Sequence, residues 1–230
     1  RGAVVSVHWS PPRCRLYLDT SGVPLSFRGY RRRTVAAPLR ETLAAGILLG
    51  AGWTGQAPLV NPMCGSGTIA IEAAWIAARR APGRLRPTFA FMSLRGFDLE
   101  AWRERRRRAA AAERPVEVPI VAADVDADAV EAARANARAA GVETLIRLEV
   151  AELRDTPAAG PAAWYVLNPA YGRRIGGGDE EIAAAHEAIG RFLRTRADGG
   201  RAVVVSGHLK MARRIGLRLA RRWTVFNGPI

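Results

Sequence analysis

Lysine is almost missing from this 230-residue chain: Lys210 stands alone, and every other strong base is an arginine. A phosphate-binding loop of the Gly-Lys-Ser/Thr type is excluded, because the glycine-rich turn at residues 65–67 has no lysine near it. Cysteines are few, Cys14 and Cys64, and the second lies inside that turn, where a disulfide would distort the backbone. A reducing, cytoplasmic setting follows. The three histidines, His8, His186 and His208, are scattered, and no Cys/His cluster has zinc-ligand spacing, so no metal is expected. His186 stands among alanines and reads as a surface residue. No serine occupies a Gly-x-Ser-x-Gly elbow. Apolar runs are short and broken by charge, so no stretch reaches the length that spans a bilayer. The start, Arg1-Gly2-Ala3-Val4-Val5, carries neither an initiator Met nor a signal-peptide apolar region, and a fragment or processed chain is expected.

What the chain has is a 49% hydrophobic content, enough for one globular domain with a large core, and a net charge of +14 from 35 Lys+Arg against 21 Asp+Glu. Such an excess suits a polyanionic partner, because arginine forks match phosphate oxygens. GC-rich coding explains arginine in place of lysine but not the excess of bases over acids.

Residues 3–9 and 13–19 alternate around Pro11-Pro12 and predict a strand pair. A basic segment, Arg28-Gly29-Tyr30-Arg31-Arg32-Arg33, leads to a helix predicted over 38–51. From Ala57 the pattern becomes strand, loop, helix, repeated. Strands are predicted at 58–60, 119–123, 145–150, 163–167 and 201–206, and helices at 69–80, 127–140, 180–195 and 211–221, with a further strand beginning at Trp223–Phe226. Gly141 is placed to stop the second of these helices. This alternation implies a parallel sheet covered on both faces. An insertion at 81–117 holds Phe89, Phe91, Phe97 and Trp102 and the run Arg103-Glu104-Arg105-Arg106-Arg107-Arg108, which suits either a solvated helix or an RNA-facing surface.

Two motifs carry chemistry. Asn61-Pro62-Met63-Cys64-Gly65-Ser66-Gly67-Thr68 joins a buried strand to a helix. Gly65 and Gly67 remove side chains where a cofactor would lie, and the helix-start amides point into that space. As a dinucleotide fingerprint it is weak, with Ala70 in the third glycine position. Asp124, ending the next strand, is placed to bind ribose hydroxyls, while Asp126 suits the helix N-cap. The second motif, Asn168-Pro169-Ala170-Tyr171, ends another apolar run about a hundred residues later. Asn168 and the Pro169 carbonyl offer neutral acceptors for an NH2 group, and Tyr171 offers a face for an extruded base. Gly176-Gly177-Gly178 reads as a mobile loop after it. Together the motifs suggest S-adenosylmethionine-dependent methylation of an exocyclic nitrogen.

Beyond these, Arg28-Gly29-Tyr30-Arg31, Pro38-Leu39-Arg40-Glu41-Thr42-Leu43-Ala44, Asn61 to Thr68, Ile71-Glu72-Ala73-Ala74 and Asn227-Gly228-Pro229 resemble the THUMP-associated RNA guanine-N2 methyltransferases. The likeness runs from about residue 15 to the end and is greatest to the bacterial large-subunit ribosomal RNA enzymes, then to the transfer-RNA enzymes. It implies an α/β, class I S-adenosylmethionine-dependent methyltransferase (Rossmann-like) fold with a small N-terminal β extension. Residues 1–27 would be the extension and linker from an upstream RNA-binding THUMP domain absent from this chain, and residues 28–230 the catalytic domain. The resemblance implies that Asn61, Pro62, Met63, Cys64, Gly65, Ser66, Gly67 and Thr68 wrap the methionine part of S-adenosylmethionine. Asp124 would hold the ribose, Val125 would flank the adenine, and Glu152 and Leu153 would approach the adenine amino group. Glu41 and Thr42 match an N-terminal cofactor motif, with a surface helix as the competing reading of the residues themselves. Asn168, Pro169 and Tyr171 would be catalytic, with Asn168 also touching the cofactor. Ala170 replaces the family's second proline and Glu152 its aspartate. The implied reaction methylates guanine N2 in ribosomal RNA ahead of transfer RNA; a DNA adenine, a protein glutamine, or a catalytically impaired binding module are the alternatives.

Overall fold

The computed structural model describes residues 3–35, 38–169, 179–197 and 199–227. Strands β1 (Val4–Ser10) and β2 (Arg13–Asp19) form an antiparallel hairpin. Helix α1 (Glu41–Ala51) follows, then β3 (Leu59–Pro62), α2 (Thr68–Ala77), α3 (Leu99–Ala111), β4 (Ile120–Asp124) and α4 (Ala127–Ala140). The chain continues through β5 (Arg147–Val150), β6 (Trp164–Leu167), α5 (Asp179–Arg196), β7 (Arg201–Val204) and the single-turn α6 (Leu209–Ala212).

The five later strands are all parallel, in the order β5-β4-β3-β6-β7. The inner strands β3, β4 and β6 are covered on both faces and so read as largely apolar runs, whereas the edge strands β5 and β7 are partly exposed. Leu59, Ile120, Ala122, Trp164 and Val166 point to a core shared with α1, α2 and α4. Val60, Val121, Tyr165 and Leu167 point to a second core closed by Ile189, Phe192 and Leu193 of α5. Alanines face the sheet from α2 (Ala70, Ala73, Ala74, Ala77) and α4 (Ala133, Ala137, Ala140), so these helices pack close. Gly141 ends α4 in the left-handed conformation, its φ of 68° avoiding the Cβ penalty, as its placement in the sequence predicts.

Strand order sets the position of the site. From β3 the sheet grows one way through β4 and β5, then the chain returns to the other side of β3 as β6 and β7. The reversal puts the topological switch point, where open α/β sheets bind ligands, at the carboxyl ends of β3 and β6. The two sequence motifs are the segments that leave those two strands.

The C-terminal expectations fail. Helix α6 ends at Ala212, continues as one tighter 3-10 turn over Arg213–Ile215 and stops at Gly216, whose φ is 67°. No strand forms over 223–226. Leu217, Leu219, Trp223 and Phe226 are all exposed, so no apolar face or sheet edge is supplied to hold either element. The tail instead returns to the start of α1, where the Asn227 side chain accepts from the Arg40 amide at 3.1 Å and donates to the Pro38 carbonyl at 3.4 Å.

Candidate active site

The turn leaving β3 is built from left-handed residues: φ is 60° at Met63, 53° at Gly65 and 81° at Gly67. Met63 bears a conformation disfavoured for a residue with a Cβ, by roughly 1–2 kcal/mol. Gly67 is required twice over, because a Cβ there would lie 2.9 Å from Ala133 Cβ on α4. The turn is tied to the strand ends around it. The Cys64 amide donates to Ala123 O at 2.9 Å. Asp124 accepts the Gly65 amide at 2.8 Å on one carboxylate oxygen and the Asp126 amide at 3.1 Å on the other. Each oxygen keeps a lone pair for a further donor. Asp126 caps α4, accepting from the Asp128 amide at 2.9 Å.

A second layer of bonds comes from the basic segment, which lies along α2 and over the turn. The Arg28 guanidinium and the Tyr30 hydroxyl both donate to Glu72, buried on α2. Burial outweighs Arg28, whose contacts are long at 3.3–3.4 Å, and pushes the Glu72 carboxyl above its ordinary value. The Tyr30 hydroxyl is pushed up as well, by burial first and the Glu72 charge second. Arg31 donates to Glu41 at 2.9 Å, to Ser66 Oγ at 3.1 Å, to Thr68 Oγ1 at 3.0 Å and to the Leu39 carbonyl at 2.9 Å. One guanidinium thus joins the basic segment, the start of α1 and the helix side of the glycine turn. Asn136, fully buried on α4, donates to the carbonyls of Ser66 and Arg33. Neither Arg31 nor Asn136 stands out in the sequence. The only signal for Arg31 is its place in the Arg28-Gly29-Tyr30-Arg31 motif, and Asn136 is one polar residue in an alanine-rich helix.

The predicted residues fall into three groups. Asn61, Pro62, Met63, Cys64, Gly65, Ser66, Gly67, Thr68, Asp124, Asn168 and Pro169 converge on the adjacent ends of β4, β3 and β6. The Asn61 amide nitrogen donates to Val166 O at 2.8 Å, stitching the two motif-bearing strands together. Cys64 is buried, and burial first, then the Asp124 charge, pushes its thiol well up, so it stays neutral. Val125 is exposed beside Asp124, and Glu152 is exposed and paired with Arg154. Leu153 packs against the α5 core and Thr42 is exposed. Glu41 is buried against Arg31 and not on a surface. Tyr171, with Ala170 and the glycines at 176–178, lies outside the described residues.

Two side-chain oxygens are left over. Among the described residues, Asn61 Oδ1 and Asn168 Oδ1 are buried and have no hydrogen-bond partner. A buried unmade bond costs about 1–3 kcal/mol, so each is a reason for a donor to arrive. Glycines that clear the backbone, free lone pairs on Asp124 and these two amide oxygens fit a ligand carrying amine and hydroxyl donors.

His186 is not a surface residue. It is 1% exposed, with Nδ1 2.7 Å from the Ile182 carbonyl and Nε2 3.0 Å from Ser206 Oγ, and joins α5 to the segment after β7. Both cysteines are free. Among the described residues no cluster of three His, Cys, Asp or Glu could hold a metal, and no helix is long and apolar enough to cross a membrane.

This arrangement has close counterparts. The protein slr0064 of Synechocystis sp. is 36% identical over 228 residues, 99% of this chain and 59% of its own length. Ribosomal RNA large subunit methyltransferase K/L of Syntrophotalea carbinolica is 39% identical over 240 residues, 98% of this chain and 33% of its own. The crystal structure of SMU.472 complexed with SAH superposes with a TM-score of 0.89 at 28% identity, over 99% of this chain and 59% of that one. The chain therefore spans between a third and three fifths of the length of these proteins. Its fold is the class I, Rossmann-like methyltransferase architecture. The RMKL-like methyltransferase domain profile matches residues 28–230, and the chain belongs to that family.

Proposed function

We propose that this domain transfers the methyl group of S-adenosylmethionine to the exocyclic N2 amine of a guanine in ribosomal RNA. The observation that carries the reading is Asn168: its Oδ1 is buried without a partner among the described residues at the end of β6, one strand from the glycine turn. A neutral acceptor there suits an incoming N–H. Accepting the amine hydrogens through Asn168 Oδ1 and the Pro169 carbonyl orients a nitrogen whose lone pair is otherwise spread into the base ring. Positioning of this kind is worth roughly 7–11 kcal/mol at best. Tyr171 would stack on the extruded base, a contact worth about 1–3 kcal/mol.

The cofactor, when bound, supplies a methyl group already activated by its sulfonium charge. The Asn61–Thr68 turn would surround its methionine part, where Asn61 Oδ1 lacks a donor. Asp124 would accept from the ribose, Val125 would flank the adenine, and Glu152 and Leu153 would line its far edge. The complex of SMU.472 with SAH supports this choice of cofactor. The +14 charge and the ribosomal RNA methyltransferase relatives favour RNA as substrate, in the cytoplasm where ribosomes are made.

The test is methyl transfer from labelled cofactor to unmodified ribosomal RNA, transfer RNA, DNA and release factor, followed by nucleoside analysis. N2-methylguanosine in ribosomal RNA is the expected product. Label on DNA adenine or protein glutamine, or cofactor binding with no transfer to any RNA, overturns the assignment.

A further inference from the structure

The basic segment holds one group of charges that the site has not used. The side chains of Arg32 and Arg33 are exposed and make no ion pair or hydrogen bond among the described residues, while their backbone is fixed. Asn136 Oδ1 accepts the Arg32 amide at 2.6 Å and the Arg33 amide at 3.0 Å, and Asn136 Nδ2 donates to the Arg33 carbonyl at 2.8 Å and the Ser66 carbonyl at 3.0 Å. All four contacts of this buried amide go to backbone, three to the arginine segment and one to the glycine turn. The segment then runs on past Gly65, where a Cβ would meet Val35 Cγ2 at 3.4 Å.

The arginine-rich helix α3 is built differently. Three of its five arginines, Arg103, Arg107 and Arg108, pair with Glu100 or Glu104 on the same helix, while Arg105 and Arg106 make no ion pair among the described residues. Arg32 and Arg33 are unbalanced, their backbone is rigid, and they stand beside the glycine turn. Guanidinium groups held this way lose little backbone freedom on meeting a phosphate, and exposure leaves both forks available.

We propose that Arg32 and Arg33 form a phosphate grip for the substrate RNA at the rim of the site, and that Asn136 anchors this grip and the glycine turn to one another. The inference rests on the RNA reading above and goes beyond it by naming where the backbone of the substrate is held. Asn136 is a positioning residue: it touches neither ligand, but fixes the segment that binds one and the turn that binds the other.

The experiment measures binding of a labelled ribosomal RNA fragment by fluorescence anisotropy across a salt series, with SAH affinity read separately by calorimetry. In the Arg32→Ala/Arg33→Ala double variant the slope of log affinity against log salt should shrink by about 2, roughly one per phosphate contact, with SAH affinity unchanged. Arg32→Lys/Arg33→Lys should recover most of the slope. An Arg107→Ala/Arg108→Ala variant, which removes the same formal charge from α3, should change it by less than half as much. In Asn136→Ala, RNA and SAH affinities should fall together. If wild-type protein binds RNA and the double alanine variant keeps the full slope, the grip is overturned while the methylation reading stands. If wild-type protein binds no RNA at all, the substrate reading itself fails and takes the grip with it.

Discussion

The glycine turn and the end of β6 sit on neighbouring strands and are finished in opposite ways. Around the turn most polar groups are already engaged, with Asn61 Oδ1 the exception: Asp124, Arg31 and Asn136 hold the turn from three directions. At the end of β6 the Asn168 amide oxygen is buried with no partner among the described residues. The contrast separates two tasks. A turn that must keep one shape to receive a flexible cofactor is fixed by the protein's own bonds. A group that must act on an incoming amine keeps its acceptor unspent. The energy lost at Asn168 is small beside the packing of the two cores, so the fold tolerates it.

The sharpest way to break this contrast is Asn168→Ala. Turnover should fall roughly 100- to 1,000-fold, as for loss of one well-placed polar group, while SAH affinity stays within about threefold. Equal loss of both would place Asn168 with the turn and not with the substrate. Next in size is Gly67→Ala, which forces a Cβ into a left-handed residue and against Ala133. A loss of about 2 kcal/mol in denaturant unfolding is expected, with weaker SAH binding. Unaltered stability would mean that the turn is looser than its bonds suggest.

Asp124→Ala removes the acceptor for the Gly65 amide along with the acid beside it. Calorimetry should find SAH bound more weakly by about 1–3 kcal/mol. Unchanged affinity would contradict the ribose role.

A smaller effect tests the support beneath the turn. Because burial raises the folded carboxyl of Glu72 above its ordinary 4.5, that group contributes stability which is full below about pH 4.5 and is lost as pH rises through the raised value. Glu72→Gln lacks this dependence. Melting curves from pH 4.5 to 8 should therefore shift in favour of the variant as pH rises, relative to wild type; parallel curves would place Glu72 in an ordinary, charge-satisfied site. Smallest of all is a change on the N-terminal hairpin, where Val7 is 62% exposed. Val7→Thr should move domain stability by less than about 0.5 kcal/mol.

Much of the sheet was legible beforehand. The strand at 119–123 was displaced by one residue, the strand at 163–167 starts one residue later, and α4 matched its predicted span, because its alanines, Asp126 cap and Gly141 stop are local signals. The C-terminal helix and strand were misread because an apolar pattern states a preference for burial without supplying a partner. His186 was misread for the converse reason: alanine neighbours suggest a polar exterior position only until Ser206 is brought to its ring.

The sequence by itself determined the alternation of strand and helix, the glycine turn with its following helix, and the presence of an acceptor-aromatic tetrapeptide. Those are set by period, backbone permissiveness and residue chemistry, all of which act over a few neighbouring positions. Only the tertiary structure decided that the Asn61 and Asn168 motifs leave adjacent strands, that Arg31 spans from Glu41 to Thr68, and that Asn136 fastens a segment a hundred residues away. Those depend on strand order and on which buried polar atoms find partners, and both are properties of the packed chain.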